Sequence, residues 1–168
     1  MQIPTLTTDR LQLLPPGAQA EELYQRFYTD PSASQAYGGP LSAGAAKLRL
    51  AADLEAWHLK GFGIWLVLRR KEGDLVGTCG FWQGQGWPRE LTWWLLPEAR
   101  SAGFALESSR AVVAHAYRVF NWPIVETYMS DANVAAKNLV HRLGGQWSRR
   151  QFFPDDQERD VYRIPDTT

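Results

Sequence analysis

The stretch "RELTWWLLPEARSAGFALES", residues 89–108, decides how the chain is organised. Its dense apolar run at 91–96 is typical of a strand, and a helical stripe of apolar residues follows from 103 to 120. A helix N-terminus has unpaired N–H groups and a partial positive charge, so it can hold a phosphate. Gly103 leaves room for such an anion, and Arg100 adds a charge. The junction therefore predicts a phosphate-binding turn, although R-x-x-G-x-A also occurs in ordinary turns.

Outward from this junction, periodicity predicts seven strands and four helices in one mixed α/β (α+β) domain spanning residues 1–168. The strands are predicted at 10–15, 63–70, 75–83, 89–96, 124–130, about 146–153 and 160–164. The helices are predicted at 18–29, 42–60, 103–120 and 133–143, with residues 31–40 as a loop. Ser42 is expected to cap the second helix, whose apolar side chains are Leu48, Ala52, Leu59 and Trp57.

The charge balance and the single cysteine limit the class of protein. The 18 basic and 18 acidic residues cancel, so no global field recruits nucleic acid or an anionic membrane. One cysteine, Cys79, rules out an intramolecular disulfide and favours a reducing compartment. The N-terminal residues lack a signal-peptide layout, and no apolar run approaches the ~20 residues of a spanning helix. These features predict a cytoplasmic protein with no nucleic-acid or membrane partner.

Metal and nucleophile chemistry find little support in the sequence. The three histidines, His58, His115 and His141, are far apart and form no known metal-binding motif. Cys79 lies inside a predicted strand, where a buried inert thiol is expected. The chain has no G-x-S-x-G motif. We therefore predict a site without a metal ion.

Four segments together resemble the GNAT superfamily of acyl-CoA-dependent N-acetyltransferases, and most closely its RimJ/RimL branch. Residues 8–13, TDRLQL, are similar to the T-x-R-L-x-L of the branch, and residues 76–81, VGTCGF, to its IGTIGL. The segment 89–108 is similar to AEIGYWLLPEYWGKGYATEA, and Asn133 opens a helix that ends in RLGG. The resemblance implies a central mixed sheet in which two parallel middle strands splay apart.

The resemblance also implies that acetyl-CoA is the co-substrate and that it lies between the splayed strands. Its pyrophosphate would lie on the backbone N–H groups of Arg100, Ser101, Ala102, Gly103, Phe104 and Ala105. Its pantetheine arm would pair with the backbone of Trp93 and Leu95 and bond to Asn133. Lys137 could approach the phosphates, but a solvated helix position explains it better.

In direct transfer an amine attacks a thioester and must first lose a proton to a base. Glu90 aligns with the glutamate of the family's AEIGY segment and shares a strand face with Thr92 and Trp94, so it is the predicted catalytic base. Glu126 and Asp131 are the alternative bases. If Glu90 has no catalytic role, it is an exposed carboxylate at a strand edge. A backbone N–H near Leu95 would stabilise the oxyanion.

The chain departs from the family where an acid should protonate the leaving thiolate. The RimJ/RimL branch has a serine three residues after the asparagine, and here that position is Ala136. Other branches have a tyrosine seven residues after it, and here that position is Val140. Both conventional acids are therefore missing, which leaves Tyr128 or water as the proton source.

These residues predict an N-acetyltransferase that acts on a primary amine of a small molecule, a peptide or a protein N-terminus. The alternatives are a sensor or scaffold that binds acyl-CoA without turnover, and a fold retained for partner binding alone. Relatives that pair suggest a homodimer. The acceptor pocket of this family would be walled by Trp57, Trp65, Trp82 and Trp94, although core packing also explains each tryptophan.

Overall fold

The computed structural model describes residues 2–166 and contains, within them, eight strands and five α-helices. The strands are β1 (Leu6–Thr7), β2 (Leu11–Leu14), β3 (Ile64–Arg69), β4 (Leu75–Trp82), β5 (Glu90–Leu95), β6 (Val125–Met129), β7 (Gln146–Phe152) and β8 (Glu158–Ile164). The helices are α1 (Glu21–Tyr28), α2 (Pro31–Ser34), α3 (Ala43–Lys60), α4 (Phe104–Arg118) and α5 (Val134–Arg142). The predicted mixed α/β class is confirmed.

The strands form two antiparallel sheets that meet at β5 and β6. The first sheet has the order β1-β2-β3-β4-β5, and the second has the order β6-β8-β7. No ladder of hydrogen bonds joins the sheets among residues 2–166. Instead, the Thr127 hydroxyl on β6 donates to the carbonyl of Leu91 on β5 at 2.8 Å. The separation lies where the resemblance expects two splayed strands.

The helices cover the two faces of the five-stranded sheet. On one face α4 buries Val112, Val113 and Ala116 against the side chains that alternate inward from the strands. On the other face α1 packs Phe27 flat on Trp94 of β5, with ring centroids 3.9 Å apart. Among residues 2–166, no helix is long and apolar enough to cross a membrane.

Residues 31–40, predicted as a loop, contain α2 and a 3-10 turn over Gln35–Tyr37. The Asp30 carboxylate accepts a hydrogen bond from the Ser32 N–H at 2.8 Å and caps α2, while Pro31 takes the first helical position. The prediction missed this helix because two glycines and two prolines dominate the segment. This helix and turn bring the Tyr37 hydroxyl to the Trp93 carbonyl of β5.

Of the four side chains predicted on the apolar side of α3, Trp57 is buried as predicted and the other three are exposed, while the predicted start of the helix is confirmed. Ser42 caps α3 by accepting from the Ala45 N–H at 3.1 Å, as predicted. Leu48 and Leu59 are each 73% exposed, and Ala52 is exposed as well. The buried positions are Ala46, Leu50, Asp53 and Trp57. Hydropathy alone would place Asp53 outside. It can be buried because its carboxylate accepts a hydrogen bond from the buried Tyr24 hydroxyl.

Candidate active site

A cavity of about 330 Å³ opens where β5 and β6 separate. The two strands contribute side chains from both sides, and α3, α5, β8, the end of β4 with the loop after it, and the turn after α2 contribute the rest of the wall. Its lining residues are Ala36, Tyr37, Arg49, Trp82, Trp87, Glu90, Leu91, Thr92, Trp93, Thr127, Tyr128, Met129, Ser130, Asn133, Ala136 and Arg159. Of the predicted site residues, this cavity therefore brings together Glu90, Trp93, Asn133 and Trp82.

The strand β5 presents its backbone to this cavity at every second residue. The Leu96 N–H donates to the Val76 carbonyl at 2.8 Å, and the register continues with Gly77 opposite Leu95. Because hydrogen-bonded and non-bonded pairs alternate in an antiparallel ladder, the N–H and C=O groups of Trp93 and Leu95 point away from β4. They face the separation between the sheets, where no strand within residues 2–166 pairs with them.

The carbonyls of these two residues already have partners from side chains. The Tyr37 hydroxyl donates to the Trp93 carbonyl, and the Arg100 Nε donates to the Leu95 carbonyl at 3.2 Å. A carbonyl has a second lone pair, and the two N–H groups point away from β4. An extended ligand arm would therefore find donors at Trp93 and Leu95, and acceptors that it has to share.

The Glu90 carboxyl lies on the cavity wall, where burial is the main influence on its ionisation. Burial raises the pKa of Glu90 to about 8, while the positive charges of Arg49 and Arg159 lower it by less. No hydrogen bond holds its carboxyl oxygens among residues 2–166. Near neutral pH the free protein therefore keeps Glu90 largely protonated, and a cationic ligand beside it would favour the carboxylate.

The two alternative bases are engaged in ion pairs elsewhere. The Glu126 carboxylate accepts a bidentate pair from Arg149, at 2.6 and 3.1 Å. Asp131 is held in the same way by Arg150, at 3.1 and 2.9 Å, and these bonds lower the pKa of Asp131. Neither residue lines the cavity. The geometry therefore favours Glu90 over both alternatives.

The turn before α4 exposes backbone N–H groups at the start of the helix. Gly103 has φ +84° and Ser101 has φ +63°, which is the left-handed conformation that glycine tolerates best. The N–H groups of residues 101–105 have no acceptor within residues 2–166. An added Cβ at Gly103 would lie 3.2 Å from Nη2 of Arg10, so the turn also carries a nearby positive charge.

Arg100 differs from its predicted role at this turn. Its N–H donates to the Pro97 carbonyl at 3.2 Å, and its guanidinium donates to the Leu95 carbonyl and, at 2.9 Å, to the Ala33 carbonyl. These bonds tie the end of β5 to α2. The side chain is thus a structural tie, and both the predicted N–H and the predicted charge of Arg100 are already used inside the chain.

Arginines that the sequence analysis did not single out surround this turn. A second cavity, of about 600 Å³, is lined by Arg10, Arg110 and Arg142 together with Gly103. Arg10 donates to the Ala102 carbonyl at 2.8 Å. No sequence signal marks the three as a group, because they come from the segment before β2 and from two different helices.

Asn133 and Lys137 on α5 have different surroundings. The Asn133 side chain caps α5 by accepting from the Ala136 N–H at 3.1 Å, and it also lines the cavity. The Lys137 ammonium donates to the Asp131 carbonyl at 3.0 Å and does not line the cavity. Ala136 lies on the cavity wall, whereas Val140 is fully buried in the core. Only position 136 therefore faces the space where an acid could act.

Three of the four tryptophans predicted to wall an acceptor pocket lie in the core. Trp57 and Trp65 are 1% and 0% exposed, and their indole N–H groups donate to the carbonyls of Ile64 and Pro4, each at 2.8 Å. Trp94 is buried against α1. Only Trp82 lines the cavity, so the prediction is corrected for the other three. Buried aromatic packing with a satisfied N–H explains them.

Known protein families include one that matches this chain: the family model described as "Acetyltransferase (GNAT) domain" matches residues 10–146. A search of curated proteins gave no match. Among residues 2–166, no cluster of three or more histidine, cysteine or acidic side chains could hold a metal ion.

Solved structures of acetyltransferases resemble the fold over almost all of the chain. An acetyltransferase from Agrobacterium tumefaciens is 28% identical, with a TM-score of 0.88, over 98% of this chain and 96% of that one. A GNAT-family acetyltransferase from Bacillus anthracis is 14% identical, with a TM-score of 0.81, over 98% and 100%. RimL, a ribosomal L7/L12 alpha-N-protein acetyltransferase in complex with coenzyme A, is 14% identical, with a TM-score of 0.78, over 98% and 100%. The chain belongs to the GNAT acetyltransferase family.

Proposed function

We propose that the chain is an N-acetyltransferase that moves an acetyl group from acetyl-CoA to a primary amine by direct attack in a ternary complex. The observation that carries the proposal is the Glu90 carboxyl on the wall of the cavity between β5 and β6. We place the chain nearest the RimJ/RimL branch, supported by its sequence motifs and by the low-identity likeness to RimL. A cytoplasmic location and a homodimer remain part of the proposal.

The residues around the first cavity and at the turn before α4 fit acetyl-CoA, which would supply the acetyl group as an activated thioester. The free N–H groups of residues 101–105, with Arg10, which also pairs with Glu107, would hold its phosphates. The N–H groups of Trp93 and Leu95, which point away from β4, would receive its pantetheine arm. The Asn133 amide would donate to the same arm, because its oxygen is already used as the helix cap.

Glu90 would act as the general base. A base works best when its pKa lies near the working pH, and the pKa of Glu90, raised to about 8, meets this condition. An ammonium group beside Glu90 would stabilise the carboxylate, which would then take the proton and free the amine for attack. The Leu95 N–H, which points away from β4, would donate to the carbonyl oxygen as negative charge develops there.

Neither Ala136 nor Tyr128 is free to serve as a strong acid for the leaving thiolate. Ala136 offers no proton, and the Tyr128 hydroxyl, whose pKa burial raises well above its usual range, donates to the Pro88 carbonyl at 3.1 Å. A CoA thiol has a pKa of roughly 8 to 9, by analogy with cysteine, so it leaves tolerably as a thiolate. We therefore propose a slow enzyme whose thiolate is protonated by water.

The test compares thiol release by the wild type and by Glu90→Gln over a panel of primary amines at saturating acetyl-CoA. We expect turnover to fall roughly 10²-fold or more in the variant, within the range for loss of a general base. Acetyl-CoA affinity, measured by calorimetry, should be unchanged. Glu126→Gln is the matched control because that glutamate lies on the neighbouring strand outside the cavity. Tight acetyl-CoA binding without thiol release from any amine would favour the sensor.

A further inference from the structure

The guanidinium of Arg49 faces the same cavity as Glu90 and has unused hydrogen-bond donors. Its Nε is buried without a hydrogen-bond partner among residues 2–166. The nearest carboxylate, Asp53 one turn along α3, is 3.7 Å from Nε and already accepts from the Tyr24 hydroxyl at 2.7 Å. The guanidinium lies 5.9 Å from the Tyr28 and Trp82 ring centroids, so aromatic rings limit its movement.

The other arginine on the wall, Arg159, is already engaged. Its guanidinium donates to both carboxylate oxygens of Asp155, at 2.9 and 2.6 Å. It also lies 5.4 Å from the Trp87 ring centroid. Arg159 is therefore neutralised and held by its own neighbours, so of the two arginines on the cavity wall it is Arg49 whose Nη groups make no hydrogen bond within residues 2–166.

Nε is buried beside Asp53, with which Arg49 forms an ion pair, so a ligand in the cavity would reach the Nη groups, which make no hydrogen bond within residues 2–166. A ligand carboxylate is the group whose geometry fits these donors. We infer that the acceptor is a small amine that also carries a carboxylate, which Arg49 binds while the amine faces Glu90. This inference rests on the proposed function and names its substrate class. It assigns Arg49 to substrate specificity.

The charges on the cavity wall support this class. A zwitterion would place its ammonium beside the Glu90 carboxyl and its carboxylate on Arg49, so each charge would meet its complement. A free amino acid provides this chemistry, and so does a peptide N-terminus followed by an acidic residue.

The experiment measures kcat/KM for thiol release with the twenty amino acids and their carboxamides, at saturating acetyl-CoA. A second arm uses tripeptides that have aspartate or asparagine at the second position. In the wild type we expect at least one acid to exceed its amide by about 10- to 100-fold, mainly through KM, as for a hydrogen bond to a charged group. Arg49→Gln should reduce this ratio to near one, and Arg49→Lys should keep part of it. Arg159→Gln is the matched control and should keep the ratio.

The outcomes separate this inference from the proposed function. Amides that react as well as their acids in both arms, or an acid preference that survives Arg49→Gln, would overturn the inference and leave an acetyltransferase. If no amine releases thiol, calorimetry of the same acids and amides with the CoA-saturated protein reads their binding directly. Acid binding that depends on Arg49 would then support the inference although the proposed function had failed, and no acid binding would overturn both.

Discussion

Glu90→Gln should stabilise the protein at neutral pH, because the native fold keeps a carboxyl where burial disfavours its charge. The pKa of Glu90 rises from an ordinary 4.5 to about 8 on folding. Above pH 4.5 the unfolded chain loses this proton while the native state keeps it, so stability is lost as the pH rises towards 8. At pH 7 the loss spans about 2.5 pH units, or about 3 kcal/mol at 1.36 kcal/mol per unit, as an upper bound. Glutamine is neutral at every pH and so avoids this loss of stability.

Urea unfolding of wild type and variant at pH 4 and pH 7 measures this difference. We expect the two free energies of unfolding to agree at pH 4 and to differ by up to about 3 kcal/mol at pH 7, with the variant more stable. Asp53, whose pKa burial also raises, contributes equally to both forms and cancels. Glu55→Gln, at an exposed position on the same helix as Asp53, is the control and should change little. A pH-independent difference between Glu90→Gln and wild type would refute the reasoning.

Three further experiments with substituted proteins test other parts of the account. Gly103→Glu should abolish acetyl-CoA binding in calorimetry by repelling the phosphates. Gly103→Ala, which has the same backbone strain at φ +84°, should weaken binding less, and equal affinities of the two variants would refute the phosphate-binding turn. Ala136→Ser should raise the rate at saturating acetyl-CoA by supplying a proton donor on the cavity wall, and an unchanged rate would show that proton delivery does not limit turnover. Trp65→Ala should cost about 3–5 kcal/mol in urea unfolding because Trp65 is fully buried, whereas Trp82→Ala should mainly raise the KM of the acceptor; the reverse pattern would contradict the corrected tryptophan assignment.

The sequence was most informative where periodicity and end signals agree. Ser42 gave the start of α3, and the alternation in β5 placed Glu90 and Trp94 on the same side of the sheet. The segment 89–108 indicated the strand, turn and helix that position the proposed cofactor cradle. These features depend on local geometry, which neighbouring residues in the chain determine.

The sequence was least informative where a contact joins distant residues. Arg100 looked like a charge for a phosphate, but the carbonyls of Leu95 and Ala33 hold it, and no local pattern shows that α2 lies there. Nothing in the helical pattern of α3 singles out Arg49 or Asp53, because the contact that makes this side buried and polar comes from Tyr24, 29 positions earlier. Trp57 has the same appearance in the sequence as the cavity-lining Trp82, and only packing separates them.

The most direct test of the central claim is the pH dependence of kcat/KM for thiol release, measured for the wild type and for Glu90→Gln. With Glu90 as base, the wild-type value should rise about tenfold per pH unit below pH 8 and level off above it, because the carboxylate form must accumulate. Repeating the profile with acceptors whose amines differ in pKa separates the ionisation of Glu90 from that of the amine, since only the part of the profile due to the amine should move. The account predicts a limb near pH 8 that stays with every acceptor and disappears in Glu90→Gln. A limb that persists in the variant, or a variant as active as the wild type, would contradict it.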